Sequence, residues 1–444
     1  MSITALCYVL IYFYGLLKAF TTNPVYGLYT YLFAFYLHAP ARWWGRSLPD
    51  LRWSFLAALV TLIAIFSSPA HQKKVWFSFF ENKLFAFFVF YLIIQSFWAL
   101  NFEIHKEYLF LGIKFLILIF IIQNSMKSEK DIIGFVVLNL LGVCYFTYLG
   151  MFVKTGGRLE GLGTPGMESA NQLGQHMATI LVFSAFLLMT DLGKKKFLLI
   201  VPLVLALNGV LLTQSRGVMI GVLVAGFASL FVIPPKAKKQ FVIYACLAIF
   251  GGSALVGPQL IERFSSIAPD ESGEQDKSAE SRMVIINAQM DMFFESPLLG
   301  YGHRGTLLLS KEFIPAEYHT KTKGGSSARA SHNFLFALLV DHGLVGTTLY
   351  LLIVFSCLVK MYKISKTTRY HEDSLVLVLV LTGMGLSLIC LMVAGMGSNN
   401  KKLEIDIWLY AMIPVIYGKI MDARRERESL GSEHEADAQK EHVL

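Results

Sequence analysis

Long apolar stretches recur along the whole chain, and they constrain its fold more than any other feature. About 20 apolar residues in a helix cross the roughly 30 Å of hydrocarbon in a bilayer. Candidate stretches lie near 2–20, 25–40, 53–68, 83–100, 107–124, 132–153, 172–190, 197–213, 217–234, 240–257, 344–362, 373–396 and 403–420. The stretch at 25–40 is short, and 403–420 contains two acidic residues and a proline. The pattern therefore predicts an all-α polytopic membrane protein with 12–13 transmembrane helices.

Composition excludes an ordinary soluble protein. Of 444 residues, 55% are hydrophobic and only 16% are charged, whereas about a quarter of residues are charged in a soluble domain. The net charge of +8 comes mainly from short basic clusters between apolar stretches, so we expect no nucleic acid partner. The five cysteines lie inside apolar segments with no CxxC or Cys/His spacing, so neither a disulfide framework nor a zinc site is predicted. The first segment lacks a basic start and a cleavage site and is interpreted as a retained span.

Basic clusters between the apolar stretches predict the orientation in the membrane. Cytoplasmic loops carry an excess of lysine and arginine. Two spans separate each cluster from the next, so all four are assigned to the cytoplasmic side: Lys194, Lys195 and Lys196; Lys236, Lys238 and Lys239; Lys360, Lys363, Lys366 and Arg369; Arg424, Arg425 and Arg427. The loop 41–52, with three arginines, does not follow this pattern. It could instead be an interfacial stretch anchored by Trp43, Trp44 and Trp53.

The predicted organisation has four parts. Residues 1–256 form the N-terminal transmembrane helices, 257–331 a large, partly helical periplasmic loop, and 332–423 the C-terminal transmembrane helices. The charged segment 424–444 is poor in apolar residues and is predicted to be a disordered cytoplasmic tail. Three polar regions then face the extracytoplasmic side, namely 154–170, 213–217 and the large loop, and each carries an arginine near a membrane boundary: Arg158, Arg216 and Arg282.

Arg216 lies between two apolar runs with few polar residues around it. Its guanidinium could simply extend to lipid phosphate at the bilayer surface. Its planar set of donors also suits the oxygens of a diphosphate, and the charge of a diphosphate calls for a second arginine. Arg282 opens the stretch SRMVIINAQMDMFFESPLLGYG, whose helical spacing of apolar residues predicts an amphipathic surface helix that ends before Pro297.

His332 begins the return of the chain into the membrane. A histidine at such a position is often only a helix-end residue, but histidine is also a common general base. His303 and His319 in the same loop, and His176 in the helix at 172–190, are rivals. Asn171 is placed to cap that helix with its side chain.

The motifs TQSRGVMIG, the S-x-x-R helix leading to SPLLGYG, and SHNFLFALLVDHGLVGTTLYL resemble the core of the O-antigen ligase and O-antigen polymerase superfamily of bacterial membrane glycosyltransferases. The resemblance covers roughly 155–365. It implies an inner-membrane protein with a periplasmic active site and a polyprenyl (undecaprenyl) diphosphate-linked glycan as donor. It also implies catalytic roles for Arg216, Arg282 and His332. The predicted substrate-binding residues are Arg158, Asn171, His303 and Asn333.

The predicted function is transfer of the glycan to a hydroxyl of lipid A-core or of another glycan or protein acceptor. Arginines would stabilise the departing diphosphate and His332 would accept the proton of the hydroxyl. The outer loops contain no paired aspartates, so the prediction is metal-independent catalysis without a cofactor. A polymerase that uses a lipid-linked repeat as acceptor is the alternative. A transporter is less favoured, because no internal repeat is found and the candidate charges gather at one face.

Overall fold

The computed structural model describes residues 1–67, 77–152, 157–257, 260–261, 277–321, 327–368, 373–399 and 403–441. Its helices are α1 (Ile3–Thr21), α2 (Val25–Leu37), α3 (Trp53–Ser67), α4 (Phe80–Gln95), α5 (Phe102–Ser125), α6 (Glu129–Gly150), α7 (Ala170–Ala185), α8 (Ile200–Leu212), α9 (Arg216–Val232), α10 (Pro235–Ser253), α11 (Lys277–Glu295), α12 (Gly305–Phe313), α13 (Phe334–Thr367), α14 (Leu375–Gly395) and α15 (Glu404–Glu441). Strand pairing in the described residues is limited to two-residue strands, β1 (Thr320–Lys321) and β2 (Ser327–Ala328). The all-α class predicted from the sequence is confirmed.

Every predicted apolar stretch contains a helix. Within the described residues, seven helical segments are long and apolar enough to cross a membrane, namely Ile3–Thr21, Phe102–Ser125, Glu129–Gly150, Ala170–Met189, Gly193–Leu212, Phe334–Thr367 and Leu375–Gly395. Two shorter apolar helices, α3 and α9, accompany them. The chain is therefore a polytopic helical membrane protein, while the predicted number of 12–13 spans stays a prediction.

The centre of the bundle is formed by α14 and α7. The most apolar window of α14 is 83% buried, whereas the corresponding window that contains α8 is 22% buried, so α14 is central and α8 peripheral. Helix α9 packs closely on α14 through small residues. A Cβ on Gly221 would lie 2.5 Å from the carbonyl oxygen of Cys390, and one on Gly217 would lie 3.3 Å from that of Ala394. Small residues allow such close approach of helix backbones, which fixes the N-terminus of α9 beside the C-terminal end of α14.

One end of the bundle, here called the outer end, carries the polar loops and the cap, which is defined as residues 277–331. The guanidinium of Arg42 donates to the carbonyl of Leu162 at 2.9 Å, which joins the loop 38–52 to the loop 157–169. The amide of Leu100 donates to the carbonyl of Tyr301 in the cap, also at 2.9 Å. Ser169, at the end of the loop 157–169, lines one cavity together with His303 of the cap. The loop 38–52 therefore lies at the same end as the cap, as an uninterrupted alternation of spans requires.

The tryptophans of this loop do not all behave as interfacial anchors. Trp44 and Trp53 are only 6% and 5% exposed and pack among the tyrosines of α1, while Trp43 is 71% exposed. The ring of Tyr8 lies 5.1 Å from that of Trp44 in a tilted arrangement and 5.4 Å from that of Trp53 in an edge-to-face arrangement. The interfacial interpretation is thus wrong for two of the three tryptophans, because the helices α1–α3 form an aromatic core around them.

At the opposite end of the bundle, the structure of the C-terminal segment differs from the sequence prediction. The segment 424–444 is predicted to be disordered, yet α15 continues through Arg424 as far as Glu441. Arg424 is buried and bound to Asp373 and to the hydroxyl of Thr367. This contact fastens the helix beyond the apolar stretch, and the arginines and glutamates that follow are good helix formers.

Helix α13 is broken at Gly343, where φ is 60° and ψ is −166°. The segment 297–302, which follows α11, lies in the break. It pairs with α13 through four backbone hydrogen bonds: Leu344 to Pro297 at 2.8 Å, Val345 to Leu298 at 3.2 Å, Tyr301 to Val340 at 3.0 Å and Gly302 to Asp341 at 2.8 Å. The backbone groups released by the break are therefore satisfied by the cap, as buried polar groups require. The break fixes the cap to the transmembrane bundle.

Candidate active site

The predicted surface helix exists as α11, and Arg282 lies in its second turn. Its apolar face consists of residues at helical spacing, Ile285, Ala288 and Met292, which pack on residues of α12 and α13. Arg282 itself is exposed. Burial of the apolar face thus holds α11 against the start of α13 and leaves the arginine exposed.

A cavity of about 370 Å³ lies between the cap and the bundle. Four separate parts of the chain supply its walls, which are the start of α7, the start of α12, the start of α13 and the turn after α14. The lining residues are Ser169, Gln172, His303, Arg304, Thr306, Leu307, Ala330, Ser331, His332, Ala337, Asp341, Ser398 and Asn399. Two of the sequence-predicted residues, His303 and His332, therefore face one cavity.

The imidazole of His332 lies among positive charges. Burial within the cap lowers its pKa from the usual 6.5, and the charges of Arg329 and Arg282 lower that pKa further. His332 is therefore neutral at neutral pH, which is the form that accepts a proton. Arg329, three residues before His332 in SSARASHN, was missed in the sequence, since this spacing brings side chains together only within a helix and the segment is not helical.

A buried side chain on α11 holds the backbone around His332. Gln289 is 1% exposed, and its amide donates to the hydroxyl of Ser331 at 3.0 Å and to that of Thr306 at 3.1 Å. The hydroxyl of Ser331 donates to the carbonyl of Asn333 at 2.8 Å and accepts from the Asn333 amide at 3.1 Å. Gln289 thus joins three elements at the position of His332, a role that sequence spacing does not reveal.

Asn333 caps α13. Its side-chain oxygen accepts from the amides of Leu335 at 3.0 Å and Phe336 at 3.2 Å. Such capping satisfies two of the amides left open at a helix start. The structure thus gives Asn333 a capping role, and the predicted contact with substrate stays a proposal.

Arg158 and Asn171 lie together, but at the turn before α9. The Arg158 guanidinium donates to the carbonyl of Thr213 at 3.0 Å and to the side-chain oxygen of Asn171 at 3.1 Å. The helix α7 is capped by Ser169 in a capping box with Gln172, so the prediction that Asn171 is the cap is wrong. Arg158 instead fixes the turn that leads directly to Arg216.

Arg216 begins α9 and is half-buried. The next residue, Gly217, approaches Ala394 and Gly397 at the end of α14, and the two residues after that turn, Ser398 and Asn399, line the cavity. Arg216 is not itself among the residues that line the cavity in the described part of the chain. The charge of Arg282 acts on His332, although Arg282 does not line the cavity in the described residues either. Convergence of Arg216 with them stays a prediction.

The three rival histidines, His176, His303 and His319, lie in different environments. The ring of His319 is hydrogen-bonded to the carbonyls of Ser310 at 3.0 Å and Ile314 at 2.9 Å, which gives it a structural role. His176 is buried in the bundle at 3.1 Å from the hydroxyl of Tyr36. His303 faces the cavity and is the remaining candidate of the three.

A group that could hold a metal ion was not foreseen from the sequence. His303, Asp341 and His342 are buried, and their ligand atoms all lie within 4.8 Å of one another. The group is formed by the cap and by the break in α13, which lie about forty residues apart in the chain, so no ligand spacing is visible in the sequence. The stretch VDHG, with adjacent aspartate and histidine, was the one available signal.

These features define a polytopic helical membrane protein whose helical cap covers a cavity that carries histidine and arginine at one end of the bundle. The family model described as O-antigen ligase matches residues 201–351, from α8 into the second half of α13. The resemblance to the O-antigen ligase and polymerase superfamily of membrane glycosyltransferases is thereby confirmed for this part of the chain. A search of curated proteins found no significant match.

Proposed function

We propose that this protein transfers a glycan from a polyprenyl (undecaprenyl) diphosphate donor to a hydroxyl of lipid A-core or a similar acceptor. The cavity under the cap is proposed as the active site, and the outer end is proposed to face the periplasm from the inner membrane. The observation that carries the proposal is the position of His332, which lies in this cavity with the positive charges of Arg282 and Arg329 close enough to lower its pKa.

The proposed reaction requires positive charges near the leaving diphosphate and a base near the acceptor hydroxyl. The acceptor oxygen forms a bond to the anomeric carbon of the glycan, and the bond from that carbon to the diphosphate breaks. The electron pair leaves with the diphosphate, so negative charge grows on its oxygens. Positioned cationic donors at such a site are each worth on the order of 3 kcal/mol in the transition state. Arg282 and Arg329, whose charges lower the pKa of His332, are proposed to supply that stabilisation, so no metal ion needs to contact the diphosphate.

His332 is assigned the proton of the acceptor hydroxyl. A neutral imidazole is the competent form, and the cationic surroundings keep it neutral before the donor binds. A bound diphosphate would offset those positive charges and raise the basicity of the imidazole when a proton has to be accepted. Binding of the donor thus prepares the base, which favours ordered use of the two substrates.

Arg216 is proposed to bind the diphosphate from the bundle side. Its helix is fixed beside the end of α14, whose following turn lines the cavity. Arg158 supports this placement by holding the preceding turn through Thr213. In this assignment Arg158 and Asn171 act on Arg216 and do not contact the substrate, whereas His303 contributes to the cavity wall.

Purified protein in detergent or liposomes, given a lipid-linked oligosaccharide with and without lipid A-core, tests the proposal. We expect the glycan to move to lipid A-core with release of polyprenyl diphosphate, and the His332→Ala variant to lose this activity. Elongation of the donor in the absence of lipid A-core would assign the polymerase function instead. Absence of both products with an intact, folded protein would overturn the glycosyltransferase proposal.

A further inference from the structure

We propose that His303, Asp341 and His342 bind one divalent transition-metal ion, with Zn²⁺ as the expected occupant. Two of the ligands, His303 and Asp341, also line the cavity under the cap, but the inference does not depend on the function proposed above. The three ligands come from the cap and from the break in α13, and all three are buried. It is the one such grouping found in the part of the chain that the structure describes.

The separation of the first two ligands supports metal binding over a hydrogen bond. His303 Nδ1 lies 3.6 Å from Asp341 Oδ2, which exceeds the 2.7–3.2 Å of a good hydrogen bond. Two atoms bound to one zinc ion at about 2.1 Å, in tetrahedral arrangement, lie roughly 3.4 to 3.6 Å apart. The distance matches the spacing of two ligands on one ion, and a ligand atom of His342 lies within 4.8 Å of both.

The hydrogen bonds of Gln95 determine the tautomer of His342. The amide nitrogen of Gln95 donates to the carbonyls of Leu299 at 2.7 Å and Asp341 at 2.8 Å, so its other side-chain atom is the carbonyl oxygen. That oxygen is 2.8 Å from His342 Nδ1, which must therefore be the donor. In a neutral imidazole Nε2 then carries the lone pair. Histidines that bind metals commonly donate their second nitrogen to an oxygen in this way.

The other two ligands are also oriented by neighbours. The amide of Arg304 donates to Asp341 Oδ2 at 2.9 Å. The ring of Tyr108 stacks on that of His303 with 4.0 Å between centroids and 6° between planes. The backbone amide of His303 donates to His105 Nδ1 at 3.2 Å. Each ligand is thus oriented by a hydrogen bond or a ring contact from a neighbouring residue, as is usual in metal sites.

His105 is not a ligand despite its proximity. Its Nε2 lies 2.8 Å from the carbonyl of Leu92, which can only accept. Its Nδ1 accepts from the amide of His303. Both ring nitrogens are therefore engaged, and His105 belongs to the support of the site.

The donor set indicates the class of ion. Two imidazoles and one carboxylate suit zinc and neighbouring transition metals, whereas magnesium and calcium prefer oxygen ligands alone. Three protein ligands leave a fourth position for water. Because His303 belongs to the cap and His342 to α13, the ion would tie the cap to the helix whose N-terminal end follows His332. Its role is to hold the fold of the cavity.

Metal analysis of the full-length purified protein tests the inference directly. After incubation with Zn²⁺ and removal of free ions, we expect about one zinc per chain by inductively coupled plasma mass spectrometry. The double variant His303→Gln/His342→Gln should lose this zinc. The variants His319→Gln and His332→Gln should retain it, because both alter histidines of the same region outside the group.

A spectroscopic and a thermal readout protect the test against misfolding. Co²⁺ should give visible absorption bands in the wild-type protein and not in the double variant. Zn²⁺ should raise the melting temperature of the metal-stripped wild-type protein and leave that of the double variant unchanged. If the wild-type protein binds no more Zn²⁺ than a folded double variant, the metal site is refuted while the glycosyltransferase proposal stands. Bound zinc without transfer activity would support the metal site and count against the glycosyltransferase proposal.

Discussion

Gln289 of α11 donates a hydrogen bond to Ser331 at 3.0 Å, one residue before His332. The helix that carries Arg282 and the loop that carries the histidine are therefore joined by a single buried side chain. Seven residues separate Gln289 from Arg282, which places both on nearly the same face of α11. The distance between the arginine and the imidazole thus depends on this contact.

Replacement of Gln289 by Leu should weaken the coupling of α11 to His332. The change removes two hydrogen bonds, each worth about 1 kcal/mol, and leaves the hydroxyls of Ser331 and Thr306 with fewer partners. We expect lower kcat with little change in protein yield, measured with the transfer assay. The Asn287→Ala variant, at an exposed position of the same helix, is the control. Equal kcat in all three proteins would show that Gln289 does not position the site.

Removal of Arg329 should change the pH dependence. In the folded protein the pKa of His332 is lowered below 6.5 by burial and by Arg329 and Arg282. Activity should therefore persist until the pH falls below this lowered pKa. Arg304 and Asp341 face the same cavity and remain in the variant. In Arg329→Gln the pKa of His332 rises, so the acid limb of kcat/KM should move to higher pH.

The control for this measurement is Lys311→Gln, which removes a positive charge from an exposed position of α12. Its acid limb should match that of the wild-type protein. Coincident profiles for Arg329→Gln and the wild-type protein would remove His332 from the role of the titrating base.

Replacement of Arg216 by Lys keeps the charge and loses the planar set of donors. We expect glycan transfer to fall by about tenfold or more, equivalent to roughly 1.4 kcal/mol in the transition state, while the protein still inserts. Arg425→Lys, at a position where the side chain is 74% exposed, makes the same chemical change at the other end of the bundle and should have no effect. Full activity of Arg216→Lys would exclude a bidentate role for Arg216.

Gly343→Ala should destabilise the cap and the bundle together. The residue has φ of 60°, and an added Cβ would lie 2.3 Å from the carbonyl oxygen of Leu298 in the segment that fills the helix break. We expect a lower melting temperature and loss of transfer. Gly226→Ala is the matched control, because a Cβ there meets nothing within 4 Å and alanine favours a helix by about 0.5–1 kcal/mol. An unchanged melting temperature for Gly343→Ala would contradict the tight packing at the break.

The sequence determined the parts of this protein that follow from local pattern. Apolar stretches located the helices because each span must cover hydrocarbon and satisfy its own backbone, and helical spacing after Arg282 located α11. The motifs of the sequence also pointed to His332 and to the superfamily. Capping was predicted wrongly, since the sequence pattern indicated Asn171 whereas the backbone geometry places Ser169 at the N-cap of α7.

Tertiary structure decided what depends on residues far apart in the chain. The docking of 297–302 into the break at Gly343, the bridge from Gln289 to Ser331, and the grouping of His303 with Asp341 and His342 all join segments separated by tens of residues. Periodicity reports the environment along one helix and carries no information on which helices meet. These contacts arise only when the packing of the bundle sets the distances between them.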